Sequence, residues 1–306
     1  MQNSRYEGPR YEGRPLPRPG DEVVDQGLGF DVGTLLGRRR MLTVLGLGAV
    51  AAGLTACGAS ASSTTSPGEI PDETAGPYPG DGSNGPDVLE QSGVVRSDIR
   101  SSVGTGSATA QGVPMTLELT VTDMARAAMA GVAVYVWHCD REGRYSLYSE
   151  GLENENYLRG VQVADDRGTV RFTSVVPACY PGRWPHVHFE VYPDAADITD
   201  AGNAIATSQL ALPQDVCTAV YATPGYAESV HNLSGITLDS DNVFGDDGGA
   251  LQLATVTGDV ASGYTVALTA AVDTTTEPSG GGAPGGPGGP PPGGAGERPA
   301  GPPPGN

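Results

Sequence analysis

Between residues 115 and 272 the chain breaks into short runs in which apolar and polar residues alternate or β-branched residues cluster. Seven runs stand out: Met115–Thr122, Val132–His138, Thr169–Thr173, His186–Tyr192, Ala204–Leu212, Leu253–Thr257 and Tyr264–Val272. A period of two puts alternate side chains on opposite faces of a strand. Turn-forming residues separate the runs: Gly131, the stretch Asp165-Asp166-Arg167-Gly168, Pro193-Asp194 and Ser262-Gly263. Short strands punctuated in this way predict an all-β domain, an antiparallel β-sandwich. One short helix is expected after Pro213, whose ring suits a first helical turn. There is no internal repeat, phosphate-binding glycine loop or Ser-His-Asp signature.

The pattern fails at both ends. Residues 1–37 are polar and rich in Gly and Pro. Gly37-Arg38-Arg39-Arg40-Met41-Leu42 then opens an apolar run of 16 residues, from Met41 to Ala56. A membrane-spanning helix needs about 20. Small residues before Cys57 resemble a bacterial lipoprotein processing site, and Arg38-Arg39 followed by an apolar run resembles a twin-arginine signal. The expectation is an export signal over 1–56 with Cys57 as the lipidation site. A flexible tether over 57–68, one globular domain over 69–273 and a disordered Gly/Pro-rich tail over 274–306 would follow. The protein would then be exported, lipid-anchored to the outer face of the cytoplasmic membrane or secreted. A short membrane anchor with an incidental Cys is the alternative, and a later start codon would shorten the leader.

Composition narrows the partners. The 306 residues include 46 Gly and 26 Pro, which disfavours a long helical bundle. All 17 basic residues are Arg, against 36 acids, for a net charge of −19. That sign excludes sequence-independent binding to nucleic acid, which needs a basic surface. Four Cys are too few for a disulfide scaffold.

Candidate chemistry concentrates in Pro177-Ala178-Cys179-Tyr180-Pro181-Gly182-Arg183-Trp184-Pro185-His186-Val187-His188-Phe189. His186 and His188 stand two apart on an expected strand, so both imidazoles share a face while Val187 and Phe189 face a core. Alone, His-x-His serves as a polar strand face or as a metal site. Tyr180 lies between Pro177 and Pro181-Gly182, so a turn aims its phenol. Tyr145 follows the expected strand ending at His138 and a turn at Gly143. Singly, each Tyr reads as a core or rim residue. His138, directly after Trp137, reads as a structural histidine, and His231 has no motif around it.

Together these residues resemble the intradiol ring-cleavage dioxygenases, the catechol- and protocatechuate-dioxygenase-like family, and among them exported bacterial members. The matching features are Val136-Trp137-His138, Gly143-x-Tyr145-Ser146, Asn156-Tyr157-Leu158-Arg159-Gly160, Asp166-x-Gly168, Pro177-x-x-Tyr180 and Arg183-x-Pro185-His186-Val187-His188. They run in order over roughly Pro77 to Val272. The resemblance implies a non-haem Fe(3+) held by Tyr145, Tyr180, His186 and His188. It implies Arg183 and Gln209 as further catalytic residues, and Tyr180 as the ligand that leaves to accept a proton. Tyr78, in Glu73-Thr74-Ala75-Gly76-Pro77-Tyr78-Pro79, resembles a pocket-lining segment and equally reads as a turn aromatic. The implied reaction opens a small-molecule catechol between its two hydroxylated carbons, inserts both atoms of O2 and gives a muconate-type product.

The chain departs from the familiar catechol enzymes in two ways. The gap from Tyr180 to His186 is much shorter, which leaves the substrate open. The helical N-terminal dimerisation domain is replaced by a tether, which leaves oligomeric state open. Membrane contact would be through the N-terminal lipid anchor only. Cys139, Cys179 and Cys217 are an odd set for an oxidising compartment. A thiolate beside an iron ligand would be a redox hazard, so Cys179 is expected in a disulfide. The rival readings are a lipid-anchored sandwich that binds sugar or protein without catalysis, and an inactive or zinc-loaded relative.

Overall fold

The computed structural model describes residues 10–11, 14–15, 68–276 and 278. Arg38-Arg39, the apolar run to Ala56, Cys57 and most of the Gly/Pro-rich tail lie outside them. Residues 1–61 and 62–306 are separate units. In the first, Arg10–Tyr11 (β1) pairs antiparallel with Arg14–Pro15 (β2), a ladder the sequence pattern did not predict.

The second unit is a sandwich of two four-stranded sheets. One has the order β6-β3-β10-β9, from Pro114–Asp123 (β3), Thr169–Val175 (β6), Thr255–Asp259 (β9) and Gly263–Val272 (β10). The other has the order β5-β4-β7-β8, from Ala133–Trp137 (β4), Arg159–Val163 (β5), His186–Tyr192 (β7) and Ala206–Ala211 (β8). Met115, Leu117, Leu119 and Val121 of β3 and Val266 and Leu268 of β10 turn inward. There they meet Val134, Val136, Val187, Phe189, Val191 and Leu210 of the other sheet in one core. Full burial of each such side chain contributes about 1.5–3 kcal/mol.

The sandwich is antiparallel-rich, as expected, with one parallel pair. β10 pairs with β3 in parallel, Met115 opposite Tyr264 through Asp123 opposite Val272. β9 begins two residues late because the preceding chain bonds elsewhere: Ala211 N donates to Gln252 O and Ala254 N to Ala211 O, both at 2.9 Å. That crossing carries the chain from the edge of β8 into β9. On the opposite side residues 94–99 lace the two edge strands together. Val161 N of β5 donates to Val94 O (2.9 Å) and Thr173 N of β6 to Ser97 O (2.7 Å).

The expected helix is Gln214–Tyr221 (α1), but Pro213 sits at its N-cap with extended ψ of 142°, one position before the first turn. A second helix, Ala227–Ser234 (α2), was not anticipated. It braces the loop before β7: Cys179 N donates to Ser229 Oγ (3.0 Å) and Asn232 Nδ2 to Cys179 O (2.8 Å). Cys139, Cys179 and Cys217 are all free and buried, so the expected disulfide at Cys179 is not formed. The hazard that motivated it is removed another way. Burial, with Asp241 adding to it, pushes the Cys179 thiol up to about 12, so it stays protonated.

Candidate active site

Two turns and one strand aim the predicted ligands. The Tyr145 turn is organised by buried Asp140, which accepts from Glu142 N (3.0 Å), Arg144 N (2.9 Å) and Tyr157 Oη (3.0 Å). Gly143 has φ +83°, and a Cβ there would approach Tyr180 Cβ to 3.3 Å. Glycine therefore lets the two tyrosine loops close on each other. Tyr180 opens a turn through Pro181 and Gly182 (φ +80°), with Arg183 N donating back to Tyr180 O at 3.3 Å. Pro then Gly at the two central positions is the type II pattern. His186 and His188 project from β7 on the face away from the core, as the alternation required, while Val187 and Phe189 enter it.

The four polar tips meet. Tyr145 Oη lies 3.4 Å from Tyr180 Oη, which lies 3.2 Å from His186 Nε2, which lies 3.1 Å from His188 Nε2. All four groups avoid charge as they stand. Burial, then the neighbouring Tyr180, raises the Tyr145 phenol well above its usual range. Burial pushes Tyr180 up to about 12, with Arg183 pulling the other way. Burial and then Arg183 hold His186 well below the usual imidazole range, and burial and then His186 do the same to His188. Neutral imidazoles are the form that binds a metal.

The two histidines are steered differently. His186 Nδ1 donates to the Trp184 carbonyl (2.5 Å), which can only accept, so its Nε2 presents a lone pair to the cluster. His188 Nδ1 is buried with no hydrogen-bond partner. Its ring is held by stacking on Trp137, at 4.8 Å and 6°. Gly76 lies close to the same ring, where a Cβ would come within 3.3 Å of Cε1.

Arg183 and Gln209 are brought together beside this cluster. Arg183 Nη2 donates to Gln209 Oε1 (2.6 Å), and Gln209 Nε2 donates to Thr74 O (2.9 Å). The next partner, Asp241, carries no local motif. Its Oδ2 accepts from Arg183 Nε (3.0 Å) and Trp184 N (2.6 Å), and its Oδ1 from Val243 N (2.8 Å) and Phe244 N (3.2 Å). Burial alone would raise this carboxyl. Arg183 and the backbone donors outweigh it and hold Asp241 below the usual range. Asp241 sits 55 residues after His186 in a loop without a motif, so only the folded chain reveals it.

Tyr78 packs against one predicted ligand, its ring centroid 4.9 Å from that of Tyr145, and against Tyr148 at 5.2 Å. His138 is remote in role: Nδ1 bonds Cys139 O and Nε2 bonds Ser174 Oγ, each at 2.7 Å. His231, on α2, takes no part in the cluster of phenols and imidazoles.

Residues 84–197 match the Dioxygenase family model (Dioxygenase_C), a span holding Tyr145, Tyr180, Arg183, His186 and His188 but not Tyr78, Gln209 or Asp241. The chain is 33% identical over 61 residues to the chlorocatechol 1,2-dioxygenase of Rhodococcus opacus, covering 20% of this chain and 24% of that one. It is 36% identical over 69 residues to the catechol 1,2-dioxygenase of Pseudomonas sp. (strain EST1001), covering 22% of each. The match thus spans about a quarter of the length of these curated relatives. In structure it is similar to the intradiol ring-cleavage dioxygenase from Tetranychus urticae, with a TM-score of 0.54 and 21% identity over 69% of this chain and 97% of that one. The sandwich therefore has the fold of an intradiol ring-cleavage dioxygenase, and its residues 84–197 match the Dioxygenase family.

Proposed function

We propose that this protein is an exported, non-haem Fe(III) intradiol dioxygenase. It opens catechol-type rings between the two hydroxylated carbons with both atoms of O2, giving a muconate-type product. The observation that carries this reading is the convergence of two phenols and two imidazoles in one line of contacts of 3.4, 3.2 and 3.1 Å. Among the described residues no group of three or more His, Cys, Asp or Glu could hold a metal, so the histidine pair needs the phenols to complete a site. Anionic phenolate oxygen suits a ferric ion, and the donor set fits that metal in kind. Tyr145, Tyr180, His186 and His188 would hold the ion, which would supply Lewis acidity toward the substrate.

The chain's own groups do the rest. Tyr180, deprotonated while it serves as a ligand, would take up a proton from a substrate hydroxyl at its Oη. Arg183 offers a permanent positive charge to a ring that gains negative charge during the reaction. Gln209 and Asp241 hold that guanidinium from two sides. Trp137 keeps the His188 ring aligned and excludes water behind it.

The test is the visible spectrum of the purified protein. Tyrosinate–Fe(III) charge transfer should colour it red-brown, whereas a sandwich that only binds sugar or protein would be colourless. His186→Ala or His188→Ala should lose most of the iron, and Tyr145→Phe should lose or strongly shift the band. Full iron and an unchanged spectrum in all three would sink the assignment. For the export reading, changing Arg38 and Arg39 to Lys should strand the protein inside the cell, and Cys57→Ala should release it from the membrane fraction.

A further inference from the structure

Arg159 is buried and, among the described residues, forms no ion pair. Its guanidinium nevertheless spends all five N–H donors on neutral oxygens. Nε donates to Ser146 Oγ (3.1 Å) and Nη2 to Ser146 O (3.0 Å), on the residue directly after Tyr145. The same Nη2 donates to Tyr78 O (2.9 Å), while Nη1 donates to Pro79 O (2.6 Å) and Tyr135 Oη (3.1 Å). Its Cζ also lies over the Tyr148 ring, 5.4 Å from the centroid. One rigid, planar group therefore joins the backbone carrying Tyr145 to the backbone carrying Tyr78 and supports Tyr148 as well.

The segment that carries Tyr78 needs such a clamp. Residues 71–80 form no helix or strand. Upstream they are fixed by Gln209 Nε2 on Thr74 O (2.9 Å), and downstream by Gly80 N on Tyr148 Oη (2.9 Å). Gly80 has φ +69°, and a Cβ there would come within 2.8 Å of Arg159 Nη1, so glycine alone permits the approach. We propose that Arg159 is a positioning residue that sets how far the Tyr78 ring stands from Tyr145, and so sets which ring substituents the catechol pocket admits. The proposal rests on the catechol-binding reading above. A wall displaced by the width of a methyl group changes discrimination between substrates roughly tenfold or more.

Arg159→Lys keeps the charge but cannot bridge the same acceptors. The experiment measures Kd for catechol and for 4-tert-butylcatechol by calorimetry without O2, and kcat and KM for both with O2. The proteins are the wild type, Arg159→Lys, Tyr78→Ala and the double variant. The ratio of the two Kd values should move by about tenfold in Arg159→Lys, appearing in KM more than in kcat. The double variant should match Tyr78→Ala alone, because Arg159 acts through Tyr78. Ser146→Ala frees Nε without touching the charge and should move the ratio in the same direction, which covers the case of a lysine variant that does not fold. An unchanged ratio in both variants, or additive effects in the double, overturns the role of Arg159. A wild type that binds neither catechol overturns the parent reading instead.

Discussion

The sheet β6-β3-β10-β9 and the sheet β5-β4-β7-β8 share one core but differ in what covers their other face. In the first, β3 and β10 alternate buried and half-exposed positions, and β9 is almost wholly exposed. In the second, every residue of β4, β7 and β8 is buried. The residues that would point to water in an ordinary sandwich are Tyr135, Trp137, His186, His188, Glu190, Thr207 and Gln209, and all lie under cover. Part of that cover is the segment from residue 70 onward, with Glu73 N on Thr207 O at 2.7 Å. The polar face of an antiparallel sheet becomes a reaction site when a loop roofs it, because low dielectric strengthens every interaction there.

The contrast breaks most visibly at Asp241. Asp241→Ala leaves Arg183 and three backbone N–H groups without their acceptor, and loss of one partner of a buried ion pair costs about 3–5 kcal/mol. Denaturant unfolding should show a lower midpoint at an unchanged slope. Next comes Arg183→Leu, which should keep iron and colour but lose turnover about a hundred- to a thousandfold, roughly 2.7–4 kcal/mol in the barrier. Product absorbance under air checks this, and undiminished ring opening would make Arg183 a bystander.

Smaller still is a pH effect from the roof. Burial, then Asp246, raises the Glu73 carboxyl to about 7. The folded state thus keeps a proton that the unfolded chain releases near 4.5, so stability falls as pH rises from there through about 7 and then levels off. Glu73→Gln should flatten that part of a Tm–pH profile; an identical profile would remove Glu73 from the account. The smallest effect belongs to the open sheet. Thr265→Ala, on the exposed face of β10, should change stability by no more than about 0.5 kcal/mol and leave activity alone.

The same contrast explains what could be read from the sequence. Strands with clear alternation, such as β3 and β10, were legible to within a residue, and β7 was legible in full because Val187 and Phe189 alternate with the histidines. The short strand β5 was not, since Arg159-Gly160 opens it with a charge and a glycine, and the reason for that charge lies in distant carbonyls at residues 78, 79 and 146. Helix α2 escaped because only Ser229 of its eight residues is buried, which leaves almost no apolar stripe. The phenols and imidazoles were legible as a set only through the resemblance to the dioxygenase family, since each Tyr alone reads as a core or rim residue. Asp241 was not, because a carboxylate that serves a guanidinium from a separate loop has no local pattern.

The parallel pairing of β3 with β10 also governs when the molecule can exist. Met115 finds its partner Tyr264 only 149 positions later, and β10 is a central strand of its sheet. A ribosome that has made everything up to residue 262 has made every predicted ligand, yet not the strand that holds β3 and β9 together. Folding of this sheet is therefore a late event with long loops to close, and such topologies fold slowly. Chains cut short before Gly263 should accumulate as aggregates rather than as a smaller working protein.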